Sequence, residues 1–180
     1  MQPIKQLEQV LAKVADQDHY LFTAKDLQGA LPGYGDLPVL LSRASKAGLL
    51  RRMCRGLYLY PRAEYPRGLL LFHAAARLRA DEFNYISLES ALSDAGVISQ
   101  IPINSITLMS SGRSNVIRCG DFGRIEFVHT VRGPADLANQ LTYDSDCHLW
   151  RASVALALRD MRATRRSLEL INWKVVHELV

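Results

Sequence analysis

Residues 22–61 read FTAKDLQGALPGYGDLPVLLSRASKAGLLRRMCRGLYLYP, and this stretch decides the fold of the chain. Thr23 and Asp26 suit the start of a helix at Ala24, because a Thr in that position accepts free backbone amides and an acid favours the positive end of the helix dipole. Pro32, Gly33 and Gly35 cannot lie inside this helix, so they predict a turn. A short helix followed by a turn is the first half of a helix-turn-helix.

The second helix is predicted to begin after Asp36, and its two faces differ. Asp36 is a good N-cap, and Pro38 fits the first turn, where an amide hydrogen has no partner in any case. One face is apolar and should pack against a core; its members are Leu37, Leu40, Leu41, Ala44 and Ala47. The opposite face is of the kind that contacts base edges and phosphates in a major groove, and it carries Val39, Ser42, Arg43, Ser45 and Lys46.

A basic hairpin is predicted directly after this helix. Arg51 and Arg52 begin one strand, Arg55 and Gly56 form a tight turn, and residues 57–60 alternate as a second strand. A hairpin in this place is the wing of a winged helix-turn-helix. The residues predicted to bind DNA are therefore Lys25, Ser42, Arg43, Ser45, Lys46, Arg51, Arg52 and Arg55.

Positive charge is concentrated in the same stretch of sequence. Residues 22–62 contain seven cations and two anions, so 7 − 2 = +5, whereas the whole chain has a formal net charge of +4. The rest of the chain is therefore close to neutral. Basicity confined to one module favours a phosphate-binding surface. The alternative is that these cations are merely solvated on the outside of a three-helix core.

The overall composition is that of a globular protein, with 180 residues of which 48% are hydrophobic and 22% are charged. The three cysteines have no CxxC spacing, which favours reduced thiols over a disulfide framework or a zinc site. No apolar run approaches the length of a membrane span, and the first residues show no apolar signal core. We expect a cytoplasmic protein with no metal, no cofactor and no membrane partner.

Two prolines within residues 61–66 predict a linker between two domains. A DNA-binding domain then spans residues 1–62, and a second domain spans residues 66–180. The predicted fold class is α+β, with an N-terminal winged helix-turn-helix and a C-terminal α+β domain that has a small antiparallel sheet and flanking helices.

In the second domain, periodicity and cap residues predict helices at both ends of a set of strands. Apolar runs favour a helix over residues 68–80 in which His73 is packed and hydrogen-bonded. Residues 85–96 read as a helix with Ser87 as its N-cap. Alternation within residues 104–130 predicts an antiparallel meander of three strands. Two last helices are predicted to begin at Ser145 or Asp146 and at Ser167.

No set of residues points to catalysis. Asp121, Glu126 and His129 are close in sequence, but the alternation of side chains along a strand places Glu126 and His129 on opposite faces. No serine-hydrolase, zinc-protease, P-loop or nucleotidyltransferase motif is present. We therefore predict no catalytic residues and no enzymatic activity.

Three segments, taken in order, resemble the AbiEi family of antitoxins from abortive-infection AbiE systems, also described as type IV toxin-antitoxin systems. They are LSRASKAGLLRRMCRGLYLYP at residues 41–61, YISLESALSDAGVI at 85–98 and ITLMSSGRSNVIRCGDFGRIEFVHT at 106–130. The resemblance implies a winged helix-turn-helix that represses its own operon at repeated DNA sites. It also implies a C-terminal domain that counters a separately encoded nucleotidyltransferase toxin.

By the same resemblance, the basic residues of the second helix and wing match the DNA-contacting positions of the family. The turn around Arg113 and the strand that ends in His129 match its C-terminal signature, which makes these two residues candidates for an antitoxin surface. The toxin can be countered directly or indirectly, and a homodimer on DNA is left open. One alternative is a stand-alone winged-helix regulator whose C-terminal domain serves dimerisation or ligand sensing. A third, weaker possibility is a component of DNA transfer or nucleoid maintenance.

Overall fold

The computed structural model of the chain describes residues 2–100 and 103–180, which fold as two compact units, Met1–Leu78 and Arg79–Val180. None of the described helices is long and apolar enough to cross a membrane. The helices are α1 (Pro3–Val14), α2 (Ala24–Ala30), α3 (Leu37–Lys46), α4 (Leu70–Leu78), α5 (Leu88–Asp94), α6 (Pro134–Leu137), α7 (Val154–Ala163) and α8 (Trp173–Leu179). The strands are β1 (Leu21–Thr23), β2 (Arg51–Cys54), β3 (Leu57–Leu59), β4 (Asn84–Ile86), β5 (Ser105–Ser110), β6 (Asn115–Arg118), β7 (Arg124–His129), β8 (Leu141–Asp144) and β9 (Leu149–Ala152).

The first unit is a winged helix-turn-helix, as the sequence predicts. Helices α2 and α3 begin at the predicted residues, and β2 and β3 form the predicted hairpin around Arg55 and Gly56. The structure adds a strand that the sequence analysis missed, because β1 pairs antiparallel with β3 and completes a sheet of order β1-β3-β2.

Local side-chain chemistry explains where these elements begin and turn. The Thr23 hydroxyl accepts a hydrogen bond from the Asp26 amide at 3.2 Å, and the Asp26 carboxylate accepts one from the Thr23 amide at 2.7 Å, which is a capping box. Gly56 has a φ of 79° in the wing turn, a conformation that glycine adopts without strain. Beneath the elements lies one apolar core to which α1, α2 and α3 all contribute, through Leu7, Leu11, Leu27, Leu40, Leu41 and Ala44 among others.

Helix α4 also belongs to the first unit. Its residue His73 is 4% exposed, and its Nδ1 lies 2.6 Å from the Tyr20 hydroxyl, so the prediction of a packed and hydrogen-bonded histidine is confirmed. Tyr20 in turn stacks on Tyr65, with ring centroids 4.7 Å apart. The boundary between the units therefore lies after Leu78 and not in the proline-containing segment, because α4 packs against β1.

The second unit contains a mixed sheet of six strands in the order β6-β7-β5-β4-β9-β8. The predicted antiparallel meander is wrong in one pairing, since β5 and β7 are parallel, with Ser105 opposite Arg124 and Ser110 opposite His129. The chain leaves β5 for the outer edge of the sheet, forms β6 there, and returns as β7 between β6 and β5. The pairing of β7 with β5, which are separated in the sequence by β6, leaves no local signal, whereas the β6–β7 hairpin does.

The predicted start of the next helix, at Ser145 or Asp146, is also wrong. Strands β8 and β9 occupy this region as an antiparallel hairpin in which Tyr143 faces Trp150, with ring centroids 5.3 Å apart. Aromatic cross-strand pairs of this kind stabilise a hairpin. Helix α7 begins only after Ser153, whose hydroxyl accepts a hydrogen bond from the Leu156 amide.

Two further helix boundaries differ from the prediction. The last helix begins after Asn172, whose side chain accepts from the Lys174 amide at 3.2 Å, and not at Ser167. Within the segment 85–96 that was predicted as a capped helix, Tyr85 and Ile86 lie in β4, and α5 begins at Leu88, directly after the predicted N-cap Ser87. Ser87 stands at its N-cap position, but its hydroxyl donates to the buried Asp160 at 2.7 Å instead of capping the helix.

Asp160 anchors a buried polar network in the second unit. Its carboxylate accepts hydrogen bonds from the hydroxyls of Tyr85 and Ser87 and pairs with Arg132 at 3.1 Å. Burial raises the pKa of Asp160, and the bonds from Ser87, Tyr85 and Arg132 oppose that rise by stabilising the charged form. Because α7 carries Asp160 and β4 carries Tyr85, this network fixes a helix to the sheet.

A second ionic cluster holds the segment after α7. The Arg166 guanidinium donates two hydrogen bonds to Glu126 on β7, at 2.9 and 3.0 Å, and its Nε donates to Glu89 on α5 at 2.6 Å. The two bonds from Arg166 hold the pKa of the Glu126 carboxyl below its ordinary value of 4.5. The folded state therefore favours the ionised form, and this stabilisation is present above the unfolded pKa and is lost as pH falls through the folded pKa.

We expect Glu126→Gln to lower the free energy of unfolding by about 2 kcal/mol at neutral pH, since it removes charge-assisted hydrogen bonds to a half-buried arginine. Urea unfolding of the variant and the wild type should give curves that converge as pH falls through the lowered folded-state pKa of Glu126, below which the wild-type carboxyl is protonated as well. The exposed Glu169→Gln serves as control and should change little at either pH. A difference for Glu126→Gln that is the same at both pH values would contradict this account.

Candidate nucleic-acid interface

Helix α3 presents one face to the core and the other to solvent. Leu37, Leu40, Leu41 and Ala44 are buried, as the spacing predicts, whereas Ala47 of the predicted apolar face is exposed at the C-cap of α3. The outer face is exposed at Ser42, Arg43 and Lys46, whereas Ser45 is half-buried. The predicted groove-facing residues of α3 thus share one surface, with Ser45 at its margin.

The hairpin contributes a second set of exposed cations. Arg51 and Arg52 lie on β2, which is an edge strand of its sheet, and Arg55 lies in the turn. A bulge between Arg52 and Cys54 shifts the register with β3, and Met53 within it is buried. The Arg52 Nε donates to the Cys54 carbonyl at 3.3 Å, which orients this guanidinium along the hairpin.

Three cations of α3 and the wing turn, Arg43, Lys46 and Arg55, differ from other cations of the first unit in their ion pairing. Within residues 2–100 and 103–180, neither Arg43 nor Lys46 nor Arg55 has a carboxylate within ion-pair distance. By contrast, Arg62 pairs with Glu8, and Arg77 pairs with Asp26. The positive charge of α3 and of the wing turn therefore remains available to a polyanion.

The two acids of residues 22–62 are committed to helix caps. Asp36 accepts from the Val39 amide at the start of α3. Partial burial acts to raise the pKa of Asp26, but the bonds from Thr23 and Arg77 outweigh it, and the net pKa is lowered. Both carboxylates thus interact with helix N-termini, where negative charge is favourable.

Lys25 is exposed on the first turn of α2, a different element from α3 and the wing. Its side chain has no ion-pair partner among the residues that the structure describes. It extends the basic character of the unit, but it does not lie on the α3 face with Arg43 and Lys46.

The two candidate antitoxin residues lie in the second unit, Arg113 in the turn between β5 and β6 and His129 at the end of β7. The His129 amide donates to the Ser114 hydroxyl, and its Nδ1 lies 2.9 Å from the Gly112 carbonyl. Arg79 donates to the Arg113 carbonyl at 2.7 Å. The turn is held from both sides, while the Arg113 and His129 residues themselves are exposed.

Glu126 and His129 do not form a common site, since the first is held by Arg166 and the second contacts the turn at Gly112. In the part of the chain that the structure describes, no group of three His, Cys, Asp or Glu residues could hold a metal ion. A small cavity of about 110 Å³ opens beside the Arg166 cluster. Its lining is polar and consists of Glu89, Ser90, Ser105, Thr107, Arg124, Glu126 and Arg166.

Sequence reasoning did not find the Arg166 cluster or the Asp160 network. Arg166 reaches Glu126 and Glu89 across separations of 40 and 77 residues, and Ser87 reaches Asp160 across 73. No spacing or motif links residues that far apart in the chain. Only the tertiary fold brings them together.

The helices α1–α3, the sheet β1-β3-β2 and the cations of α3 and the β2–β3 hairpin define the class: the first unit contains a winged helix-turn-helix module of the kind that binds duplex DNA. Residues 9–61 match the family model described as "Transcriptional regulator, AbiEi antitoxin", so this part of the first unit is similar to that family. The match confirms the resemblance for this region and does not extend to residues 85–130. No curated protein matches the chain in sequence.

We expect Arg52→Ala to weaken binding to every duplex DNA by a similar factor, because a phosphate contact carries no sequence information. The slope of log affinity against log salt should become shallower by about one. Fluorescence anisotropy across a salt series measures both quantities. Arg118→Ala on β6 removes an exposed arginine from the second unit and provides the matched control; equal slopes for wild type and Arg52→Ala would exclude Arg52 from the interface.

Proposed function

We propose that the first unit binds operator DNA of its own promoter, with α3 in the major groove and the wing on adjacent phosphates, and that the chain thereby represses its own transcription. The observation that carries this proposal is the surface of exposed cations on α3 and the wing turn, which have no carboxylate partners among the described residues. A transcriptional regulator family at residues 9–61 supports DNA as the partner.

The side chains of α3 suit different groups of the DNA. Arg43 can donate two hydrogen bonds to one guanine, whereas Lys46 offers a point charge that suits a phosphate or a guanine edge. Ser42 can donate or accept at a base edge, and Ser45 is too enclosed to reach far. On the wing, Arg51, Arg52 and Arg55 are the proposed phosphate contacts. Phosphate contacts fix the register on the duplex, and α3 then supplies the sequence preference.

The second proposed activity is antagonism of a nucleotidyltransferase toxin, directly or indirectly. The antitoxin description of the matched family supports it. The second unit is a compact unit in which two residues are exposed side by side: Arg113 in a hydrogen-bonded turn, and His129 at the end of β7, which bonds to that turn. We propose this turn as part of the surface that the activity requires.

A stand-alone regulator is the alternative, and one observation favours it. The cavity beside Arg166 has two arginines, two glutamates and three hydroxyl groups in its lining, a mixture suited to a small polar ligand. In that case the second unit would sense a metabolite or mediate dimerisation. A neighbouring reading frame for a nucleotidyltransferase favours the antitoxin, and a lone gene beside a metabolic operon favours the sensor.

The two proposed activities can be separated in the full chain, which avoids cutting between α4 and the strand on which it packs. A variant with Ala at four positions should lose operator binding but still relieve growth inhibition by the neighbouring toxin, because the second unit is unchanged. The four substitutions are Arg43→Ala, Lys46→Ala, Arg52→Ala and Arg55→Ala.

The reciprocal variant Arg113→Ala/His129→Ala should bind the operator normally and relieve growth inhibition less well. Gel-shift titration and a co-expression growth assay measure the two activities in both variants. Operator binding by the four-site variant at wild-type affinity would remove the basis of the proposed interface. Loss of relief in the four-site variant, when folded, would move the neutralising role to the first unit.

A further inference from the structure

Helix α3 has one aliphatic side chain on its outer face. Val39 is 41% exposed, whereas Leu37, Leu40 and Leu41 are buried at 8% or less. Single exposed apolar residues are common on protein surfaces, so exposure alone carries no function. The position of Val39 within the cationic face of α3 is what sets it apart.

Val39 lies three, four and seven positions before Ser42, Arg43 and Lys46, so all four side chains fall on the same side of the helix. Its amide is already used, because it donates to the Asp36 carboxylate at the helix start. Val39 therefore belongs to the N-terminal half of α3. This is the half from which recognition helices contact base edges.

A valine side chain offers only methyl groups to DNA. It cannot donate to a phosphate, and contact with a sugar or a base edge without a methyl group would give it no preference. The 5-methyl group of thymine is the apolar feature of the major groove, and small apolar side chains contact it. Loss of that contact removes from the binding free energy the contribution of burying roughly one methyl group.

We infer that Val39 is a specificity-determining residue that reads a pyrimidine 5-methyl group in the operator. This inference rests on the proposed DNA binding by α3. It implies a thymine at one position of each bound site. A 5-methylcytosine at that position presents a methyl group at the same place in the groove and shares this part of the recognition.

The test uses the full chain and a duplex selected by the wild-type protein from a random pool. Each thymine of that duplex is replaced in turn by deoxyuridine, which lacks only the methyl group. At one thymine per site, the replacement should weaken wild-type binding by about fourfold. Val39→Ala should bind the thymine and deoxyuridine duplexes equally, with a salt slope equal to that of the wild type because no charge is removed.

Two controls make the result specific. Val116→Ala on β6 removes an equally exposed valine, 44% accessible, from the second unit and should keep the wild-type response. Replacing the sensitive thymine by cytosine and by 5-methylcytosine, each opposite guanine, separates the methyl group from the rest of the base. The methylated duplex should bind more tightly than the unmethylated one with the wild type only.

The outcomes distinguish this inference from the proposal on which it rests. Salt-dependent duplex binding with no sensitivity to any thymine methyl group would overturn the role of Val39 and leave DNA binding intact. A Val39→Ala protein that still discriminates thymine from deoxyuridine would overturn it as well. Absence of duplex binding by the wild type would overturn both.

Discussion

The packing of the inner face of α3 into the first unit is the constraint on which the rest of the structure depends. Leu40 and Ala44 are almost completely buried, and they fix the rotation of the helix about its axis. Once that rotation is fixed, helical periodicity forces Arg43 and Lys46 outward. Deleting a methylene-rich core side chain such as that of Leu40 typically costs several kcal/mol, far more than any surface charge contributes. The basic surface is thus a consequence of the core beneath it.

The first unit was largely predictable because its signals are local. Asp36 and Pro38 mark the start of α3, and the Arg55-Gly56 turn marks the wing, each within a few residues of the element it defines. Strand β1 was missed because its reason to exist is its pairing with β3, with Leu21 opposite Leu59. The exposed face of α3 could be read from spacing alone. That its cations have no carboxylate partner within residues 2–100 and 103–180 could not, because ion pairs such as those of Arg62 and Arg77 join residues distant in sequence.

The second unit was predictable only in class. Its apolar and polar alternation reads locally as strands and helices, yet the order of a six-stranded mixed sheet depends on which edges meet. Residues 145–152 show how a local reading fails: their composition is compatible with a helix, and the aromatic pair of Tyr143 and Trp150 stabilises a hairpin instead. Arg166 and Asp160 act over long sequence separations, so the features that hold this unit together have no counterpart in any short motif. Its antitoxin role accordingly rests on proposal, whereas residues 9–61 match a known family.

The central claim is that one surface of the first unit meets DNA. Amide NMR spectra of the full chain, recorded as its selected duplex is added, test that claim most directly because they report every element at once. We predict that the largest chemical-shift changes occur in α3 and in the β2–β3 hairpin, while the amide signals of α5 and α7 do not shift. Changes centred on the arginines of α7, with α3 unaffected, would contradict the account.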